Sequence, residues 1–150
     1  MKKFKFSLEK VLEIKEVEEK IIQKNLLLIQ LEIAETEKKI ITLREKISSE
    51  REKIGSMSLS VINTGDIMLH YKYIDCLNMD VEILSDVLKG LRLQEITIKN
   101  QLIEKSKEKK SLERLKEIKY EEFKKEYNKT QRQFIDDISI QSHRYKEGII

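Results

Sequence analysis

The side chains with the greatest capacity for chemistry in this sequence are two histidines and a single cysteine. Asp66 and His70 stand four residues apart, a spacing that would place both on one face of a helix, where they could share a metal ion. Two ligands do not make a metal site, so we assign the pair to an ordinary first helical turn. His143 stands alone, and we expect it to be solvated. Cys76 has no second cysteine to pair with, which favours a small buried or half-buried residue in a reducing compartment.

Other signatures of catalysis are missing from the sequence. It holds no glycine-rich phosphate loop, and no nucleophile has a base near it along the chain. We therefore predict no catalytic residue, no metal, no cofactor and no small-molecule substrate, which describes a protein that is not an enzyme.

Composition favours long helices over a round core. The 150 residues are 38% charged and 6% aromatic, with no tryptophan and no proline. Such a chain is poor material for a globular core, but regularly spaced isoleucines and leucines remain available for burial. The net charge of +3 is the remainder of 30 basic and 27 acidic residues, so charge alone does not indicate nucleic acid.

Apolar residues recur at alternating steps of three and four along two segments, which is the spacing of a coiled-coil seam. From Ile22 to Ile54, eight of ten such positions are apolar, and from Ile67 to Leu102 nine of eleven are. The two segments are separated by GSMSLSVINTGD at residues 55–66. A short connection between long helices favours an antiparallel arrangement.

We therefore predict an all-α fold, a long two-helix antiparallel coiled-coil hairpin that forms a single domain over residues 1–150. Its parts are helix one at about 4–54, the apex at 55–66 and helix two at about 67–145. Gly55 would end the first helix in a left-handed cap, and Asn63, Thr64 or Asp66 would cap the second. A two-helix hairpin offers no dry concave pocket, which again argues against catalysis.

Folding at the apex sets a register between the helices. It places Ile54 beside Ile67, Ile47 beside Ile74, Ile40 beside Val81, and Ile33 beside Leu88. The polar seam residues Glu50 and His70 then fall in one layer.

The second helix is predicted to overhang the first over about residues 118–145. We expect its apolar face to have no partner inside the chain; its members are Tyr120, Phe123, Tyr127, Phe134, Ile135 and Ile138. Near the amino terminus, Lys15, Glu18 and Glu19 interrupt the seam, and a displaced apolar face follows Phe4, Leu8, Val11 and Leu12. Unpartnered apolar surface is the usual sign of a binding site.

Charge and hydropathy along the chain bear on nucleic-acid binding, on export by a signal peptide and on insertion into a membrane. Residues 105–129 hold ten Lys or Arg against six Glu, but the interspersed acids would face phosphates badly, so a solvated helix face is favoured over nucleic acid. The basic start MKKFKF resembles part of a signal peptide, but charges at Glu9, Lys10 and Glu13 interrupt any apolar region behind it, and we expect no export by that route. The most apolar stretch, NLLLIQLEIA, is short of the roughly 20 residues of a membrane span.

Three stretches of the chain, MKKFKFSLEKVLEIKE at the start, YKYIDCLNMDVEIL at residues 71–84 and LERLKEIKYEEFKKEYNKTQRQFIDDIS near the end, carry a resemblance to a known family. The first is similar to the amino-terminal signature of the flagellar export protein FliJ family, and the second to the start of its second helix. The third resembles its Leu-Glu-x-Leu segment and the acidic pair behind it, here Asp136 and Asp137 where Asp-Glu is more usual. The resemblance extends over nearly the whole chain.

This resemblance implies a cytoplasmic stalk and adaptor of the flagellar type III export apparatus, peripherally associated with the inner membrane. Its implied partners are a hexameric export ATPase, the cytoplasmic domain of an export gate membrane protein, and export chaperones, with no nucleic acid. The gate-binding stripe would be Tyr73, Leu77, Asp80 and Leu84, although Leu77 and Leu84 also lie on the seam and could be plain core. The ATPase-binding surface at the open end would be Phe4, Leu8, Val11, Phe123, Lys124, Lys125, Tyr127, Arg132, Phe134 and Ile138. The alternatives are the equivalent stalk of a virulence type III secretion system, a generic coiled-coil scaffold, and a nucleic-acid-binding coiled coil.

Overall fold

The computed structural model describes residues 3–58 and 63–148, and these residues form two helices and no strand. Helix α1 spans Glu9–Met57 and helix α2 spans Thr64–Glu147. The two helices pack against each other, so the predicted all-α helical hairpin is confirmed. Within the described ranges, no helix is long and apolar enough to cross a membrane.

Contacts divide the chain into two compact units. Unit 1 combines Met1–Glu19 with Glu104–Ile150, and unit 2 is Lys20–Ile103. The single domain expected from the sequence stays a prediction. In unit 1, Glu9 contacts Lys116 and Glu18 contacts Lys105, so residue numbers rise along α1 as they fall along α2. The same holds in unit 2, where Glu37 contacts Arg92 and Glu50 contacts His70. The pairing inside each unit is therefore antiparallel.

Helix α1 begins later and ends later than predicted. Residues 3–6 lie outside the helix, and a turn in which the Glu9 amide donates to the Phe6 carbonyl at 3.2 Å leads into it. At the other end the helix continues through Gly55 to Met57. No described residue, glycine or other, has a positive φ. The predicted left-handed cap at Gly55 is therefore wrong. Instead, the Ser58 hydroxyl donates to the carbonyl of Gly55, one of the acceptors that a helix end leaves unpaired, and the Ser56 hydroxyl donates to the Lys53 carbonyl earlier in the last turn.

The start of α2 is capped by Asn63, one of the three predicted candidates. Its side-chain Oδ1 accepts from the Gly65 amide at 3.2 Å, and its carbonyl accepts from the Asp66 amide at 3.1 Å. Asp66 adds a negative charge in the first turn, where the helix dipole favours it. Of the predicted apex, 55–57 and 64–66 are helical, and 59–62 lie outside the described residues.

The core of unit 2 is the predicted apolar seam. Its buried members are Ile33, Ile40, Ile47, Ile74, Leu77 and Leu91. Ile47, Ile74 and Leu77 form one cluster, against which Leu43, Ile54 and Val81 pack. The predicted neighbourhood of Ile47 and Ile74 is confirmed. The pairs of Ile40 with Val81 and of Ile33 with Leu88 stay predictions.

Two polar residues are buried in the same seam, and both have hydrogen-bond partners. Thr36 donates its hydroxyl to the Glu32 carbonyl at 2.8 Å. Glu50 contacts His70 Nδ1 across the helices, so the predicted polar layer is confirmed. A buried polar group with a partner avoids most of its desolvation cost, which is how the seam tolerates both exceptions.

Candidate protein-binding surfaces

The first candidate surface is the stripe on α2 in unit 2 predicted to bind the gate. The side chain of Tyr73 is 46% exposed and Asp80 is also exposed, whereas Leu77 is buried in the core cluster. Leu84 is half-buried. The stripe therefore presents Tyr73 and Asp80 to solvent, and Leu77 packs behind them.

Leu84 connects this stripe to an open groove in unit 2. The groove is lined by Leu43, Leu84, Thr42, Glu35 and three lysines, Lys38, Lys39 and Lys46, and Lys39 pairs with Glu35 at 2.9 Å. A groove that combines two leucines with three lysines is suited to a partner that offers both apolar and acidic side chains.

The second candidate surface lies in unit 1, where residues 3–7 contact α2. The Phe4 ring meets the Tyr120 ring edge-on at a centroid distance of 5.4 Å and the Phe123 ring at 5.7 Å. Phe123 in turn stacks on Tyr127 at 6.3 Å. The prediction that Tyr120 and Phe123 have no partner inside the chain is therefore wrong. Sequence periodicity missed this contact because Phe4 approaches α2 from a segment that is not helical.

The remaining residues predicted for the ATPase surface are distributed along unit 1. Leu8 is half-buried and Val11 is 39% exposed, whereas Leu12 beside them is buried. On α2, Lys124, Lys125 and Arg132 are exposed, and so are Phe134 and Ile138. Every described residue from 128 to 148 is exposed. Phe134, Ile135 and Ile138 thus form an apolar face of which about half or more is open to solvent.

The charged residues that interrupt the seam form ion pairs between the helices of unit 1, which the sequence did not reveal. Lys15 contacts Glu108 at 2.7 Å, Lys105 contacts Glu18 at 3.1 Å, and Lys116 contacts Glu9 at 2.8 Å. The hydrogen bond from Lys15 lowers the pKa of Glu108, and the hydrogen bond from Lys105 lowers that of Glu18. The sequence does show charges of opposite sign in both segments, which could have indicated ion pairs between the helices. Only the register between the helices reveals which of these residues contact each other.

Asp66, His70 and Cys76, which the sequence singled out for possible chemistry, all lie in unit 2. Among residues 3–58 and 63–148, no three His, Cys, Asp or Glu side chains lie close enough to hold a metal ion. His70 pairs with Glu50, and Asp66 belongs to the first turn of α2. Cys76 is exposed, so its predicted burial is wrong. With about 3.6 residues per helical turn, Cys76 stands roughly half a turn from the buried Ile74, which places it away from the core.

Two packed helices with apolar and aromatic side chains on their surface define the protein as an all-α coiled-coil hairpin. The chain belongs to the flagellar FliJ protein family, which its sequence matches over residues 4–148. No curated protein sequence and no solved structure matches the chain. Membership of this family makes it a protein related to flagellar export.

Proposed function

We propose that this protein is a non-enzymatic stalk and adaptor of the flagellar type III export apparatus. In this proposal it inserts into the hexameric export ATPase and links the ATPase to the export gate and to export chaperones. The observation that carries the proposal is the match to the FliJ family across almost the whole chain, with the helical hairpin as its fold. The protein would act in the cytoplasm, held at the inner membrane through its partners.

The ATPase is proposed to bind the exposed end of α2. Phe134 is 61% exposed and Ile138 is 49% exposed, and Arg132 lies on the same segment. Phenylalanine and arginine are enriched at protein interfaces, where a few residues supply most of the binding energy. Val11, Lys124 and Lys125 are the other solvent-exposed members of the predicted surface. Phe4, Phe123 and Tyr127 contact one another, so they join it only as a packed aromatic group.

The export gate is proposed to bind the stripe of Tyr73 and Asp80, with Leu84 and its lysine-lined groove beside them. Leu77 is part of the core, and its contribution is to hold the stripe in place. Tyr73 and Asp80 are thus proposed to contact the gate, whereas Leu77 is a packing residue; from the sequence alone, Leu77 could have had either role.

A double dissociation tests the proposal. Tyr73→Ala should weaken binding to the cytoplasmic domain of the gate and leave ATPase binding unchanged. The pair Phe134→Ala and Ile138→Ala should weaken ATPase binding by at least roughly tenfold and leave gate binding unchanged. Both affinities are measured by calorimetry with the full chain and the cognate proteins.

Matched controls are present in the same helix. Tyr71 is 55% exposed and lies two residues from Tyr73, and Leu93 is an exposed apolar residue in unit 2. Tyr71→Ala should leave gate binding intact, and Leu93→Ala should leave ATPase binding intact. If wild-type protein binds neither partner, the stalk assignment is wrong. If the controls weaken binding as much as the test variants, the assigned surfaces are wrong.

A further inference from the structure

The most apolar stretch of α1, NLLLIQLEIA at residues 25–34, has large apolar side chains on two sides of the helix. Ile33 is buried in the seam of unit 2. Leu27, Leu28 and Leu31, here called the leucine patch, are each more than half exposed, at 56%, 54% and 58%. A helix that is apolar on more than one side is usually buried on each of them. Here α2 packs on the side of Ile33, whereas the leucine patch is open to solvent.

Low local charge distinguishes the leucine patch from other exposed apolar residues of unit 2. Residues 25–31 are the longest run without a charged side chain in either helix. On α2, by contrast, the exposed Ile83 directly follows Glu82. An apolar patch that charges do not interrupt is a typical site of contact with another protein.

A lysine and a glutamate flank the leucine patch at equal distances. Steps of four, three and four along the chain connect Lys24, Leu28, Leu31 and Glu35, which places all four along one side of α1. Each of these side chains is exposed. Lys39 contacts one carboxylate oxygen of Glu35 at 2.9 Å, but both side chains of this pair are at least 60% exposed. Because so exposed a pair contributes little, Glu35 can exchange it for a second lysine or accept from both.

We propose that the leucine patch is the contact of a two-fold symmetric dimer, in which α1 of one copy lies antiparallel to α1 of a second copy. In a two-fold interface, a contact of one residue with another is matched by the same contact in reverse. If Leu28 contacts Leu31 of the second copy, the same register places Lys24 beside Glu35 of that copy. Each of these contacts then forms twice. This inference does not depend on the proposed ATPase or gate.

Charge favours the antiparallel orientation over the parallel one. A parallel pairing in register would place Lys24 beside Lys24 and Glu35 beside Glu35, and like charges in contact are unfavourable. In the antiparallel pairing, opposite charges meet at both ends of the leucine patch. The same register places Lys38 against Ile21 of the second copy, whose exposed side chain can cover the aliphatic stem of the lysine.

The size of the leucine patch sets the expected strength of the dimer. Three leucines on each copy, with the residues beside them, bury less than the roughly 1,200 Å² of total surface from which specific, stable interfaces begin. The dimer should therefore be weak and should depend on protein concentration.

Sedimentation velocity of the full chain, from about 5 μM to about 500 μM, measures the monomer and dimer populations. Wild type should shift toward dimer as concentration rises. Leu28→Glu should weaken the dimer at least about tenfold, because it places a carboxylate in the middle of the interface twice. Glutamate forms helices about as well as leucine, so α1 should persist. Ile83→Glu is the matched control at a position of α2 that is 59% exposed, and it should dimerise as wild type does.

Charge reversal tests the orientation of the two copies. Lys24→Glu should weaken the dimer at least about threefold, and so should Glu35→Lys, because each places like charges in contact at both ends of the interface. The chain that carries both substitutions should regain the wild-type affinity, since the pairs form again with their signs exchanged.

Three results would contradict the proposal. A wild-type chain that stays monomeric up to about 500 μM would overturn it and leave the leucine patch to a different protein. A dimer that neither Leu28→Glu nor Leu31→Gln weakens would place the contact on another surface. A tighter dimer of Lys24→Glu would indicate the parallel orientation. Circular dichroism of each variant measures its helix content, and if Leu28→Glu loses helix, the milder Leu31→Gln tests the same contact.

Discussion

At the scale of single residues, Glu50 shows how a carboxylate is kept in an apolar seam. Its side chain is buried among isoleucines and leucines, yet Lys53 donates to it at 2.9 Å and His70 contacts it across the helices. The hydrogen bond from Lys53, followed by that from His70, lowers the pKa of Glu50 below its ordinary value. A carboxyl whose pKa is lowered by folding stabilises the folded state when it is ionised.

The lowered pKa of Glu50 predicts how the stability of the hairpin depends on pH. The contribution is present above the pKa of the unfolded chain and is lost as pH falls through the folded value. Glu50→Gln should therefore destabilise the protein at about pH 7, and its deficit relative to wild type should shrink toward about pH 3. Urea unfolding followed by circular dichroism measures both. Glu45→Gln, at an exposed position of the same helix, should show little deficit at either pH, and a deficit of Glu50→Gln that does not change with pH would contradict the prediction.

At the scale of the helices, periodicity predicted the architecture and missed the details at the ends. Spacing of three and four identified both helices, and the short connection between them predicted the antiparallel fold and, with it, the polar layer of Glu50 and His70. The sequence pattern placed the end of α1 too early, because a glycine can remain helical at a cost of about 1 kcal/mol when a nearby serine pairs with one of the last carbonyls. It also could not show Phe4 on Tyr120, since that contact depends on the path of a segment without periodic structure.

The register between the helices is the element-scale prediction that remains open to test. The sequence pairs Ile33 with Leu88, but Leu91 is buried like Ile33 whereas Leu88 is half-buried. With Cys76 replaced by serine, Ile40→Cys with Val81→Cys should crosslink within one chain, and so should Ile33→Cys with Leu88→Cys, because a disulfide needs Cα atoms within about 7 Å. Mobility on a non-reducing gel and mass spectrometry identify the products.

Two outcomes of this crosslinking would be informative in different ways. Bonds that form only between chains would contradict the hairpin and favour a parallel dimer. A faster bond from position 33 to a cysteine at Leu91 than to one at Leu88 would preserve the hairpin and shift the register by three residues.

At the scale of the whole molecule, the two units are stabilised by different physical means. Unit 2 is held mainly by its apolar seam, with the polar layer of Glu50 and His70 and one ion pair, Glu37 with Arg92, between its helices. Unit 1 buries Phe6 and Leu12 but joins its helices largely through ion pairs of Glu9, Lys15, Glu18 and Glu19 with basic and acidic residues of α2. Ion pairs near the surface are screened by salt, whereas apolar burial is not.

Salt should therefore weaken unit 1 selectively. Raising sodium chloride to about 1 M shortens the screening length to about 3 Å, which is comparable with the ion-pair distances. Amide hydrogen exchange should accelerate in residues 9–19 and 104–117 and stay unchanged or slow down in residues 40–47 and 74–88, which lie away from the ion pair of Glu37 with Arg92. Replacing Lys15 and Lys105 by glutamine should reproduce the acceleration at low salt and remove most of the further response to salt, because these two lysines hold Glu108 and Glu18. An equal salt response in both units would show that the ion pairs contribute nothing specific to unit 1, and its cohesion would then rest on Phe6, Leu12 and the aromatic contacts of Phe4.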